Sequence, residues 1–208
     1  DADGGWGQVT SGILYYNCDG LTMPTSTNWW HAMAVWSDSD ANDFDARMHA
    51  PSTGAEDGFA ASLAYSANGY GYLDAVIVNR NNVAGSSWDV GVPAWAGEGT
   101  YKAYHASSQI MAFGDSVTTT MAVNQPILLR EFYLSGDNSG EVSVTASGNP
   151  ADGAMRLVVM RSDFEHGTLT SGSQVGSQST NSDGLARVSA NLTDVGWYGI
   201  AVYRNQSS

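Results

Sequence analysis

Along most of the chain, apolar and polar positions alternate with a period of two, the signature of half-buried strands. In "DFDARMHA" Phe44, Ala46 and Met48 fall on one face, and Asp45, Arg47 and His49 on the other. "WHAMAVW" carries bulky or apolar residues on both sets of positions, Trp30 to Trp36, and predicts a strand buried on both faces. "YLDAVIVN", "WDVGVPAW", "YKAYHA", "ILLREFYL", "EVSVTA", "AMRLVVMR", "LARVSANL" and "WYGIAVYR" read as further strands. Turn clusters such as "SANGYG", "GDNSG", "GNPADG" and "NSDG" separate them. No capped stretch sustains a 3.6-residue period. The pattern predicts an all-β chain of two tandem jelly-roll-like antiparallel β-sandwiches.

The tandem organisation comes from an internal repeat. The first half runs "WHAMAVWSDSDANDFDARMHAPST", "YLDAVIVN", "WDVGVPAW"; the second runs "EVSVTASGNPADGAMRLVVMRSD", "LARVSANL", "WYGIAVYR". The order is the same in both, and Trp88 matches Trp197. The expected units are residues 21–108 and 109–208, with residues 1–20 as a separate N-terminal strand segment. Pro93 interrupts the closing strand of the first unit, which predicts an edge position or a bulge there.

The halves differ in one respect. "WDVGVPAW" is followed by a further strand, "GEGTYKAYHASS", whereas nothing follows "WYGIAVYRNQSS". The segment "GGWGQVTSGILYYNCDG" resembles the strand that the second unit lacks. An exposed sheet edge is a liability that proteins cover. Donation of Ile13, Leu14, Tyr15 and Tyr16 from one copy to the edge at Tyr198, Ile200 and Val202 of the next would cover it. Such a head-to-tail contact need not close and would build a filament. The alternatives are pairing of the N-terminal strand within its own first unit, or a chain cut from a longer tandem array.

"FDARMHAPSTG" after an Asp-rich turn, "YLDAVIVN", and "VGWYGIAVYRN" resemble bacterial pre-peptidase C-terminal domains. That resemblance covers most of both halves. It implies small sandwich modules of secreted proteins, extracellular and non-catalytic, appended to enzymes or built into surface arrays.

Composition narrows the partners. The net charge is −13, with only 8 Lys and Arg, so nucleic acid and anionic membranes are excluded as partners, and divalent cations are the ligands such a surface attracts. No apolar run is long enough to insert in a bilayer. The single cysteine, Cys18, allows no internal disulfide. The first residue is Asp, as expected of a processed chain or a fragment.

The acidic stretch "SDSDANDFD" is the main chemical candidate. Asp38, Asp40, Asn42, Asp43 and Asp45 supply the oxygen-rich donor set that Ca2+ takes, although the spacing is not that of an EF-hand. A polar hairpin turn explains the same residues. His31 and His49 lie on adjacent predicted strands, where they could face each other. No nucleophile elbow, cysteine–histidine pair or placed carboxylate pair is legible, so the chain reads as no enzyme. The tryptophans favour core packing, with Trp95 and Tyr70, near turns, the best candidates for sugar stacking. Asn191 in "NLT" and Asn205 in "NQS" fit the N-glycosylation pattern. The expected role is an extracellular or cell-surface structural subunit that binds copies of itself head to tail. The alternative is a carbohydrate-binding accessory module that engages surface glycans.

Overall fold

The computed structural model describes residues 3–9, 19–22, 28–37, 39, 41–49, 62–69, 72–83, 87–97, 99–122, 125–169 and 172–204. Among these the protein is all-β. The strands are β1 (Asp3–Val9), β2 (Asp19–Thr22), β3 (Trp30–Trp36), β4 (Asp43–Phe44), β5 (Ala46–His49), β6 (Ser62–Ser66), β7 (Asp74–Asn79), β8 (Ser87–Gly91), β9 (Ala94–Ala96) and β10 (Gly99–Ser107). They continue as β11 (Gln109–Ile110), β12 (Ile127–Leu134), β13 (Gly140–Ser147), β14 (Met155–Met160), β15 (His166–Thr168), β16 (Gln174–Ser179), β17 (Leu185–Leu192) and β18 (Gly196–Arg204). One short α-helix, α1 (Arg80–Val83), interrupts them. No helix of the described residues is long and apolar enough to cross a membrane.

The strands form four stacked layers. The outer sheet of the first half has the order β2-β8-β5-β6, with a ribbon of β4 and β9 beside it, and the inner sheet runs β1-β10-β3-β7-β15. The second half contributes an inner sheet, β11-β12-β18-β14-β16, and an outer pair, β13-β17. Three apolar cores fill the gaps. Met33, Val35, Val76, Val78 and Tyr101 meet Phe44, Met48 and Val92 in the first. Trp30, Ala32, Ala34, Trp36 and Ile77 meet Ile127, Leu129, Val158, Met160 and Ala201 in the second. Phe132, Leu157, Val159, Tyr198 and Ile200 meet Ala186, Val188 and Leu192 in the third.

This stacking explains β3. Its alternate residues feed two different cores, so every position from Trp30 to Trp36 is buried. The two sandwiches therefore share a middle core rather than standing in line as separate beads. The boundary expected at residue 108 falls on Ser108, which is fully buried. Across it, β15 of the second half pairs with β7 of the first, and Phe164 stacks on Trp30 at 5.9 Å. The described strands of the N-terminal segment also pair within the chain. β1 pairs with β10 of its own chain, and β2 pairs with β8.

The repeat is legible in the pairing. β3 pairs with β7 as β13 pairs with β17. β8-β5-β6 has the same order as β18-β14-β16. Pro93 breaks the closing strand of the first half into β8 and β9, a break at the place its missing N–H predicts. Its carbonyl accepts the Asp45 N–H at 3.0 Å.

Candidate functional site

Asp43 and Asp45 sit where the chain passes from β4 to β5. Asp45 belongs to neither strand, and this break takes it out of the ladder. Asp74 opens β7 in the neighbouring layer. Carboxylate oxygens of these three residues lie within 4.8 Å of one another, and all three side chains are buried. Asp74 is tied in place: its Oδ1 accepts the Ser66 hydroxyl at 2.7 Å and the Asn68 backbone N–H at 2.8 Å. Asp74 Oδ2 and Asp43 Oδ1 have no hydrogen-bond partner among the described residues.

The electrostatics follow from burial and crowding. Burial, then the charge of Asp43, pushes the Asp45 carboxyl up to about 6, with Arg47 pulling the other way. Burial pushes Asp74 up to about 7; its two hydrogen bonds oppose the rise, and the charges of Asp45 and Asp43 add to it. Burial also raises Asp43. Three acids that resist ionisation, crowded against one another, are poorly neutralised by the protein's own groups.

Asp43 and Asp45 line a cleft of about 760 Å³ shared with Arg47, Tyr65, Asn68 and Trp95. Trp95 is 68% exposed and Tyr65 56%, both unusual for large aromatics. The Arg47 guanidinium lies 5.2 Å from the centre of the Tyr65 ring.

Of the acidic stretch read as a calcium loop, the structure brings Asp43 and Asp45 together. Asn42 is buried beside them, and its amide NH2 donates to Ser37 Oγ at 2.9 Å. Asp38 and Asp40 lie outside the described residues, as do Tyr70, Asn205 and Cys18. Asp74 was not among the expected ligands. Its signal was a lone carboxylate at the head of the apolar run "AVIVN". His31 does not face His49. The two strands belong to different sheets, and His31 stacks on His105 instead, ring nitrogens 3.3 Å apart. Asn191 points outward on β17.

The expected subunit contacts need correction at one end. Ile13, Leu14, Tyr15 and Tyr16 fall outside the described residues. At the other end, β18 presents no edge, because β12 and β14 flank it on both sides. Tyr198 and Ile200 are buried, and Tyr198 stacks on Phe132 at 5.4 Å. An edge without the partner that its counterpart has lies elsewhere among the described residues. In the first half β10 pairs with β3; in the second, among the described residues, β13 pairs with β17 alone. Beside β13 lies a cavity of about 490 Å³. Val144, Ala146, Met155, Leu157, Ile200 and Val202 supply its apolar walls, and the irregular segment 115–121 borders it. Ile200 and Val202 thus reach this slot through the face of β18, not through its edge.

No family model matches the chain, and no curated protein matches it.

Proposed function

We propose that the chain is a non-catalytic extracellular structural protein, a subunit of a surface array or filament whose copies join head to tail by β-strand exchange. The observation that supports this reading is the edge of β13, unpaired among the described residues. Its inward residues Val142, Val144 and Ala146 are only half-buried, while the partner strand's Ala186 and Val188 are buried. The repeat says what such an edge accepts. The counterpart of β13 is β3, and β3 carries an antiparallel strand, β10, in the same place. With β1 and β2 paired in their own chain, the stretch between them in a neighbouring copy, which carries Ile13, Leu14, Tyr15 and Tyr16, fills the slot by continuing the ladder and burying alternate side chains. The contact is heterologous, so repetition gives a fibre rather than a closed dimer. The secreted-module resemblance of the sequence agrees with this setting.

Size-exclusion chromatography with light scattering, followed by negative-stain microscopy, tests the reading. Polymers that survive mild denaturant are expected. A protein that stays monomeric at high concentration ends it.

A second reading, a glycan-binding module, is favoured by Trp95 and Tyr65 on the rim of the acidic cleft. Aromatic faces stack on sugar rings, and exposed aromatics of this size otherwise cost solubility. Polysaccharide pull-down that is lost in Trp95→Ala supports this module. Pull-down unaffected by that change removes it.

A further inference from the structure

We propose that Asp43, Asp45 and Asp74 form a calcium site that bridges two layers of the first sandwich. The donor set is wholly carboxylate, the chemistry of a hard cation. The oxygens lie within 4.8 Å of one another, a spread that fits around an ion bound at roughly 2.3–2.6 Å. Mg2+ demands a tighter, near-octahedral shell and gives up water reluctantly, so it fits this spread less well.

Two unsatisfied oxygens point to the same occupant. Asp74 is 1% exposed and Asp43 7%, yet among the described residues Asp74 Oδ2 and Asp43 Oδ1 have no donor. Buried carboxylate oxygens are ordinarily partnered, because desolvation without a compensating bond is costly. Ser66 and Asn68 hold the other oxygen of Asp74 and so fix its side chain in place. A divalent cation supplies the missing counter-charge to three acids. Arg47, whose charge acts on Asp45, offsets what remains.

The site is also reachable. Asp43 and Asp45 open onto the cleft that holds Tyr65 and Trp95, so water completes the calcium shell from that side. Asp74 comes from the inner sheet and Asp43 from the β4–β9 ribbon. The ion therefore ties β7 to the ribbon. Calcium binds the folded arrangement and not the unfolded chain, so it stabilises by mass action.

The experiment uses the full chain stripped with chelator. Thermal unfolding is followed with and without CaCl2, and Tb3+ is titrated as a luminescent calcium substitute excited through tryptophan. Saturating calcium is expected to raise Tm by roughly 5–10 °C at about a hundred times Kd. Tb3+ emission should grow and be displaced by calcium. Asp74→Asn is expected to abolish both responses while unfolding cooperatively, with a Tm in chelator no lower than the parent's, because one crowded buried charge is gone. Asp43→Asn gives a second, independent loss. Asp137→Asn, on an exposed turn far along the chain, keeps the full calcium response. A Tm that ignores millimolar calcium, together with a flat Tb3+ titration, overturns the proposal. So does an Asp74→Asn protein that keeps the parent's response, since the ion then binds elsewhere.

Discussion

The Glu131 carboxylate accepts the Trp29 backbone N–H at 2.6 Å, joining residues 102 positions apart. The same oxygen, Oε2, accepts the Ser108 hydroxyl, and Ser108 Oγ in turn accepts the Trp30 N–H at 2.9 Å. Glu131 is fully buried between the inner sheets of the two halves. One acid thus satisfies the Trp29 N–H directly and, through the Ser108 hydroxyl at the end of β10, the Trp30 N–H, both where β3 begins. Trp29, beside it, stacks on Trp197 at 6.4 Å and carries the Arg80 guanidinium 4.7 Å above its ring.

Glu131→Ala should therefore cost about 3–4 kcal/mol, from two charge-assisted hydrogen bonds and the donors left unpaired. The expected Tm loss is roughly 10 °C by circular dichroism. Glu131→Gln, which keeps an acceptor, should lose clearly less. A Glu131→Ala protein that melts with the parent would mean that the inner sheets do not depend on this link.

Gly199 is required for close approach rather than for a turn. It lies on β18, where a Cβ would overlap the tip of Met160 and stand 2.9 Å from Trp30 Nε1. Met160 can yield, but the indole is locked in the middle core. Gly199→Ala should destabilise by about 1–3 kcal/mol through overpacking. Gly69→Ala is the matched control, because nothing lies within 4 Å of its added methyl. Urea unfolding of both variants checks the contrast; equal midpoints would refute it.

His31 gives a pH dependence with a definite sign. Burial, then the charge of His105, lowers it from 6.5 to about 4 in the fold. Between those pH values the unfolded chain binds the proton and the folded one does not. Its contribution is complete above pH 6.5 and is lost as pH falls towards 4, up to about 3 kcal/mol. The buried acids Asp45 and Asp74, with raised values, push the other way. The test is accordingly a difference. His31→Gln should show a shallower loss of stability than the parent between about pH 7 and pH 4.5, and parallel curves would refute the assignment.

The slot beside β13 makes its own prediction. Ala146 lines it and is half-buried, so Ala146→Lys places a charge where the incoming strand would lay its apolar face. Assembly should fall at least tenfold by light scattering while the monomer keeps its β circular dichroism, because a lysine stem can reach solvent. Unchanged polymerisation would place the contact on another edge.

The strands, their turns and the repeat were readable from the chain alone. Period-two alternation is a local property of the strand, and "GDNSG", "GNPADG" and "NSDG" place their turns where the structure has them. In "LARVSANL" the alternation is nearly ideal: Ala186, Val188 and Leu192 point inward, and Arg187, Ser189 and Asn191 outward. "WHAMAVW" likewise announced burial on both faces. What the chain could not announce was which second layer lay against each face. The two sandwiches fuse where Trp30 meets Ile127, Leu129 and Met160. Those contacts run between the halves, and such pairings leave no local period.

The acid cluster divides the same way. Asp43 and Asp45 stand two apart, and their common face was legible from spacing. Asp74 joins them from beyond β6, brought there only because β7 packs under the break between β4 and β5. The unpaired edge was half legible: the repeat led to the expectation of one in the second half, but put it beside β18. Hydrogen bonding between strands encloses β18 between β12 and β14 and, among the described residues, leaves an edge of β13 unpaired. Alternation along a strand is set by its own backbone geometry. Which strands become neighbours, and which edge is left over, is set by how distant apolar faces find burial together, and that only the folded chain decides.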